Sequence, residues 1–217
     1  MVHFLLAIEI LGTLAFAASG AMTGIRKNMD IFGVCILALT TAVGGGVIRD
    51  VILGNTPPAT FQNPIYATVA LLTALILFLP GLRRFLMRNT ALFDLCMFWM
   101  DAAGLGIFTV TGIQTAYAHM SRFFAHANSR PTLFLLVFVG VVTGVGGGVL
   151  RDIMAGDTPY IFVKHVYASA SLAGALLCGL LWHYAGEMPS MLLGAGLVIL
   201  IRALSRHFNW NLPRAHD

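Results

Sequence analysis

Charge is what this chain has least of. Asp, Glu, Lys and Arg make up 10% of its 217 residues, where a soluble domain carries about 25%. Hydrophobic residues make up 58%, and the mean hydropathy is +0.85. Such a chain cannot cover itself with polar surface, so the bilayer is its solvent. Cysteine is also scarce. Cys35, Cys96 and Cys178 lie far apart in apolar segments, a spacing that gives neither a disulfide framework nor a metal site. They read as small core hydrophobes. A P-loop, a nucleophile elbow and a His-Glu metal pair are all missing. That argues against an enzyme and implies no cofactor and no resident metal. The net charge of +4 sits mostly in short loops between apolar segments, where it sets membrane orientation rather than holding nucleic acid. Met1 to Ala21 has the small residues of a signal-peptide cleavage site, but no basic start, and Glu9 interrupts its apolar run.

What is present is length without charge. Seven apolar segments can each cross ~30 Å of hydrocarbon as a helix. They fall at 3–24, 31–54, 61–80, 91–116, 131–155, 165–184 and 189–207. Between them stand turn residues such as Asn55-Thr56-Pro57-Pro58, Pro80-Gly81 and Asp157-Thr158-Pro159.

The chain also says nearly the same thing twice. Gly44-Gly45-Gly46-Val47-Ile48-Arg49-Asp50 returns as Gly146-Gly147-Gly148-Val149-Leu150-Arg151-Asp152. Upstream, Glu9, Gly12, Phe16, Ser19 and Gly20 align with Asp101, Gly104, Phe108, Thr111 and Gly112. Downstream, Tyr66-Ala67-Thr68 matches Tyr167-Ala168-Ser169. A longer connection, Tyr117 to Asn128, explains the changed offset. The expected fold is therefore a single all-α membrane domain: a three-helix repeat over 1–80, a second over 91–184, and an added seventh helix over 189–207. A unit of three spans has odd parity, so its second copy enters from the opposite side and the repeats are inverted. Arg26, Lys27, Arg83, Arg84, Arg88, Lys164, Arg202, Arg206 and Arg214 fall on one side, against Arg122 and Arg130 on the other. That bias places the N-terminus outside and the C-terminus in the cytoplasm.

Three successive glycines each cost about 1 kcal/mol relative to Ala in a helix interior. Two readings stand for them. Either Gly44–Gly46 and Gly146–Gly148 bend or unwind the second and fifth spans, freeing carbonyls toward a polar path, or they let helices approach closely. Arg49 and Arg151 must face protein or water and find partners. Asp50 and Asp152 are their sequence neighbours, but neighbours on a helix point about 100° apart, so a weak same-helix salt bridge is expected. Glu9 and Asp101 are the more attractive partners. These six charges either lock the helices together or line a cation path. Ser19, Thr40, Thr41, Thr111 and Thr143 supply hydroxyls, either to a pore or to helix carbonyls four residues earlier. Asp94 and most histidines, among them His3, His119, His126, His183, His207 and His216, read as interfacial or exposed, and His165 shows no partner in sequence.

At the paired Gly-Gly-Gly-x-x-Arg-Asp motifs the chain resembles the trimeric intracellular cation (TRIC) channel family, whose prokaryotic relatives have also been labelled glycine transporters. The resemblance covers almost the whole chain. It implies a homotrimer in a bacterial inner membrane, in contact with lipid. Each protomer would hold its own pore for potassium and other monovalent cations, with potassium bound only transiently. It also implies that the kinked second and fifth helices line that pore through Gly44, Gly45, Gly46, Arg49 and Asp50, and through Gly146, Gly147, Gly148, Arg151 and Asp152. Animal members carry a lysine, linked to phosphoinositide, in the second kinked helix; here Thr143-Gly144-Val145 leads into the triplet without one. Intramembrane arginines equally suit a carboxylate, so a carrier for a small zwitterion such as glycine is the second hypothesis.

Overall fold

The computed structural model describes residues 2–123, 131–163 and 166–210. His126, Arg130, Lys164, His165, Arg214 and His216 lie outside them, and so does the side chain of Arg122. Among the described residues, ten helices run in the order α1 (Val2–Arg26), α2 (Ile31–Ile52), α3 (Ala59–Gln62), α4 (Ile65–Phe78), α5 (Pro80–Arg88), α6 (Thr90–Phe123), α7 (Leu133–Met154), α8 (Tyr160–Val163), α9 (Ala168–Ala185) and α10 (Glu187–His207). Among the described residues, α1, α2, α6, α7, α9 and α10 are each long and apolar enough to cross a membrane. A seventh span is supplied by α4 and α5 taken together, a pair bent by 70° at its break. The fold is thus seven spans in an inverted three-plus-three repeat with α10 added.

Local chemistry explains the matching ends of α2 and α7. Asp30 caps α2 by accepting from the Gly33 amide at 2.7 Å, and Thr132 caps α7 by accepting from Leu135 at 3.3 Å. Both helices end on a glycine in the left-handed region, Gly54 at φ +72° and Gly156 at φ +71°. The Asn55 and Asp157 amides then donate back to the Asp50 and Asp152 carbonyls at 2.8 and 2.9 Å. Short helices α3 and α8 follow, so the order α1–α2–α3–α4 returns as α6–α7–α8–α9.

Two boundaries depart from the sequence reading. The third span starts at Ile65, because Asn63-Pro64 separates α3 from α4. The connection expected from Tyr117 is helical as far as Phe123, since apolar and helix-compatible residues carry α6 past the hydrocarbon.

Reciprocal contacts define the twofold relation between the halves. A Cβ on Gly45 would lie 2.2 Å from the Thr143 carbonyl oxygen, and one on Gly147 would lie 2.1 Å from that of Thr41. A Cβ on Gly12 would meet the Phe108 ring at 3.3 Å, and one on Gly104 would meet Phe16 at 2.0 Å. Each pair maps onto the other when the repeats are exchanged, which is the signature of a twofold axis. Phe16 and Phe108 pack with ring centroids 5.2 Å apart beside it.

Candidate functional site: a buried ion cluster beside the glycine crossing

The residues of both glycine triplets remain helical, Ile31–Ile52 and Leu133–Met154 running through them. The chain does not unwind there. The middle glycines bring α2 and α7 into backbone contact, because only hydrogen fits between Gly45 and Thr143 or between Gly147 and Thr41. The last glycine of each triplet leaves room for polar side chains. A Cβ on Gly148 would lie 2.4 Å from the Tyr167 hydroxyl and 3.7 Å from Arg151 Nη2; one on Gly46 would lie 3.7 Å from Arg49 Nη2.

Arg151 is 1% exposed and sits at the centre of the second-half cluster. Its Nη1 donates to Asp101 Oδ1 at 2.7 Å and to Ser19 Oγ at 2.6 Å; its Nε donates to Asp152 Oδ1 at 2.8 Å. Asp101 also accepts from Arg202 Nη2 at 3.0 Å and from the Tyr167 hydroxyl at 3.3 Å. The Tyr160 amide closes the set by donating to Asp152 Oδ2 at 2.8 Å. Two aromatic rings add to the cationic side, Tyr160 lying 5.0 Å from the Arg151 guanidinium and Tyr167 lying 4.8 Å from that of Arg202. Buried charge survives here because every carboxylate meets a guanidinium with good geometry.

The first half repeats the plan with fewer members. Arg49 Nε donates to Asp50 Oδ1 at 2.9 Å, and the Ala59 amide donates to Asp50 Oδ2 at 2.8 Å. The Tyr66 hydroxyl donates to Glu9. Among the described residues Glu9 and Arg49 form no ion pair, so Glu9 and Asp101 share the matched tyrosine donors Tyr66 and Tyr167 but not an arginine partner.

The expectation of weak neighbour salt bridges is overturned in both halves. Arg49–Asp50 and Arg151–Asp152 pair at 2.9 and 2.8 Å. Each Asp is pinned from its far side by the first amide of a short helix, Ala59 of α3 or Tyr160 of α8, and the long arginine stem sweeps round the helix to reach it. Of the hydroxyls, Thr41 and Thr143 donate to the Leu37 and Val139 carbonyls, both at 2.6 Å, and Thr111 donates to that of Phe108 at 3.3 Å. Ser19 joins the cluster, and Thr40 is half-buried. Asp94 is 55% exposed and paired with Arg26 at 2.9 Å. In the sequence Arg202 counts only toward the charge bias of one membrane side. The signal for it was an arginine inside the run Leu197 to Leu204. Tyr66 and Tyr167 were noted only as matched positions, although two polar rings repeated at one place are themselves a pointer.

A helical membrane protein folded as two inverted halves around a buried ion cluster belongs to the class of polytopic transport proteins. The sequence model of the glycine transporter family matches residues 6–80 and 98–183, and the chain belongs to that family. A UPF0126 membrane protein of Deinococcus radiodurans is 36% identical over 95% of this chain and 89% of its own length. The Escherichia coli K12 inner membrane protein YadS is 31% identical over 95% and 93%. Among solved structures, a TRIC cation channel is 31% identical, covers 96% of this chain and 95% of its own, and superposes with a TM-score of 0.80. A prokaryotic TRIC channel crystallised in 0.5 M KCl gives 27% identity, coverage of 98% and 100%, and a TM-score of 0.85. The trimeric TRIC orthologue from Rhodobacter sphaeroides gives 29%, 95%, 99% and 0.80. The chain is an integral membrane protein with the TRIC fold.

Proposed function

We propose that this protein is a passive channel for monovalent cations, potassium foremost, with one pore in each protomer of a homotrimer. The observation that carries the reading is the end-to-end likeness to TRIC cation channels at 27–31% identity. The site supports it. Carboxylates of Glu9, Asp50, Asp101 and Asp152 lie on the helices flanking the Gly45–Gly147 crossing, and a cavity of about 580 Å³ reaches Asp101 and Arg151 from one end of the bundle. On this reading α2 and α7 line the path, and Arg49 and Arg151 hold the acidic groups in place beside it. By the lysine and arginine bias the cavity opens to the cytoplasm and the N-terminus lies outside.

Purified protein in a planar bilayer, under a potassium chloride gradient, tests this. The expected result is unitary current reversing near the potassium potential, from a particle whose mass in detergent is three protomers. Silence in the bilayer, together with uptake of labelled glycine by proteoliposomes, would replace the channel with a carrier.

A further inference from the structure

The two halves match in fold but not in charge. In the second half two guanidiniums, Arg151 and Arg202, meet two carboxylates, Asp101 and Asp152, and their charges cancel. In the first half one guanidinium, Arg49, stands against two carboxylates, Asp50 and Glu9. Arg49 pairs with Asp50 at 2.9 Å. Among the described residues no cation pairs with Glu9, which is held by the Tyr66 hydroxyl. One negative charge is left over at the end of the bundle where α1 begins.

Burial separates the two halves further. Asp101 is 2% exposed and Tyr167 is 1% exposed, whereas Glu9 and Tyr66 are only half-buried. A carboxylate between two guanidiniums is held in its charged form; one that meets only a neutral hydroxyl lacks that hold. Other ionisable groups near this end are few on the helices packed against α1, which are α2, α4, α6 and α7. Beyond Tyr66 of α4, α2 carries Arg49 and Asp50, and α6 carries Tyr117, His119 and Arg122. α7 carries none before Arg151, and α1 itself adds His3.

We propose that Glu9 is a proton-binding site, and that protonation there suppresses conduction. The inference rests on the channel reading above. With Glu9 ionised, the first-half cluster has one net negative charge, which concentrates cations at its end of the path. With Glu9 protonated the cluster becomes as neutral as its counterpart, and that attraction is lost. The proton comes from the adjoining solution. The carboxylic acid then has an O–H of its own, which can donate to the Tyr66 oxygen and keep α1 tied to α4. The helices stay packed while the charge changes.

The test is planar-bilayer recording in about 0.1 M potassium chloride, where screening acts over about 10 Å. Both chambers are taken from about pH 7.5 to about pH 4, a range that includes carboxylate titration. The unmodified protein should lose conductance about two- to fivefold. Glu9→Gln keeps an acceptor for Tyr66 and removes the charge, so its conductance should be low and level across the range. Tyr66→Phe keeps the carboxylate and removes its donor. Its response should persist with a midpoint at higher pH, because the ionised form has lost a hydrogen bond. No fall in the unmodified protein, or an equal fall in Glu9→Gln, overturns the proton site and leaves the channel standing. Should Glu9→Gln fail to assemble, an unmoved midpoint in Tyr66→Phe overturns it in the same way. Silence at every pH fails the channel reading, and the proton site with it.

Discussion

At Gly45 one methyl group separates a helix crossing from a clash. A helix-propensity argument alone would have Gly→Ala gain about 1 kcal/mol, and the sequence offers that argument equally for every glycine of the triplets. The contacts divide them. Gly45→Ala and Gly147→Ala should each destabilise by about 1–3 kcal/mol, as overpacking does, because the new Cβ would meet a backbone oxygen. Gly46→Ala meets nothing nearer than 3.7 Å and should be neutral or stabilising by up to about 1 kcal/mol. Thermal unfolding of the three variants in one detergent checks the order. The same scale separates the arginines from ordinary surface charge. Arg151→Ala leaves Asp101 and Asp152 buried without their shared partner and should cost about 3–5 kcal/mol. Arg83→Ala, whose guanidinium lies 5.0 Å from the Phe78 ring at the margin of the bundle, should cost under about 1 kcal/mol. Equal losses in the two would count against the ion cluster as a structural lock. The sequence revealed the Arg-Asp pairs because charge inside an apolar run is conspicuous. It concealed their geometry, which depends on the first amides of α3 and α8, eight or nine residues downstream.

At the scale of elements, the ends of α2 and α7 were readable and their crossing was not. Asp30 and Thr132 stand where an N-cap belongs, and Gly54 and Gly156 stand where a left-handed C-terminus belongs. These are local rules, satisfied by residues a few positions apart. The crossing depends on residues from two repeats meeting, and no local rule reports that. The same distinction predicts two magnitudes within one helix. Asp30→Ala removes a single cap bond and should cost about 1 kcal/mol. Asp50→Ala removes the partner of a buried guanidinium and the acceptor of the Ala59 amide, and should cost about 3–5 kcal/mol. Chemical or thermal unfolding of the pair reads both, and a smaller loss at Asp50 would show that water, not Asp50, satisfies Arg49. The bend of 70° between α4 and α5 was half-visible. Pro80-Gly81 marked the break, but the arginines beyond it read as a loop rather than as the polar face of a helix with Leu86 buried.

For the whole molecule, odd parity turned a duplicated motif into inverted halves, and the reciprocal glycine contacts carry that twofold relation into three dimensions. The lysine and arginine bias predicts an orientation in the membrane, with the N-terminus outside. In a background lacking Cys35, Cys96 and Cys178, single cysteines in place of Arg84 and of Tyr184, which is 90% exposed, should react with impermeant maleimide from opposite sides. Arg84→Cys should label only from the cytoplasmic face; outside labelling of both would refute the seven-span topology. What the sequence could not convey at this scale is which half the added helix completes. α10 has no counterpart in the first repeat, and it adds Arg202 to Asp101 in one half only.

That late contribution has a consequence for biogenesis. Asp101 is made 50 residues before Arg151 and 101 residues before Arg202. At about 5–20 residues per second, its second guanidinium arrives roughly 5–20 seconds after it does. Its first guanidinium, Arg151, arrives after about 2.5–10 seconds, and until then Asp101 is a solitary charge on an apolar helix, which costs about 2.5–3.5 kcal/mol at the centre of a span. Insertion of the last helix is therefore the step that completes the ion cluster.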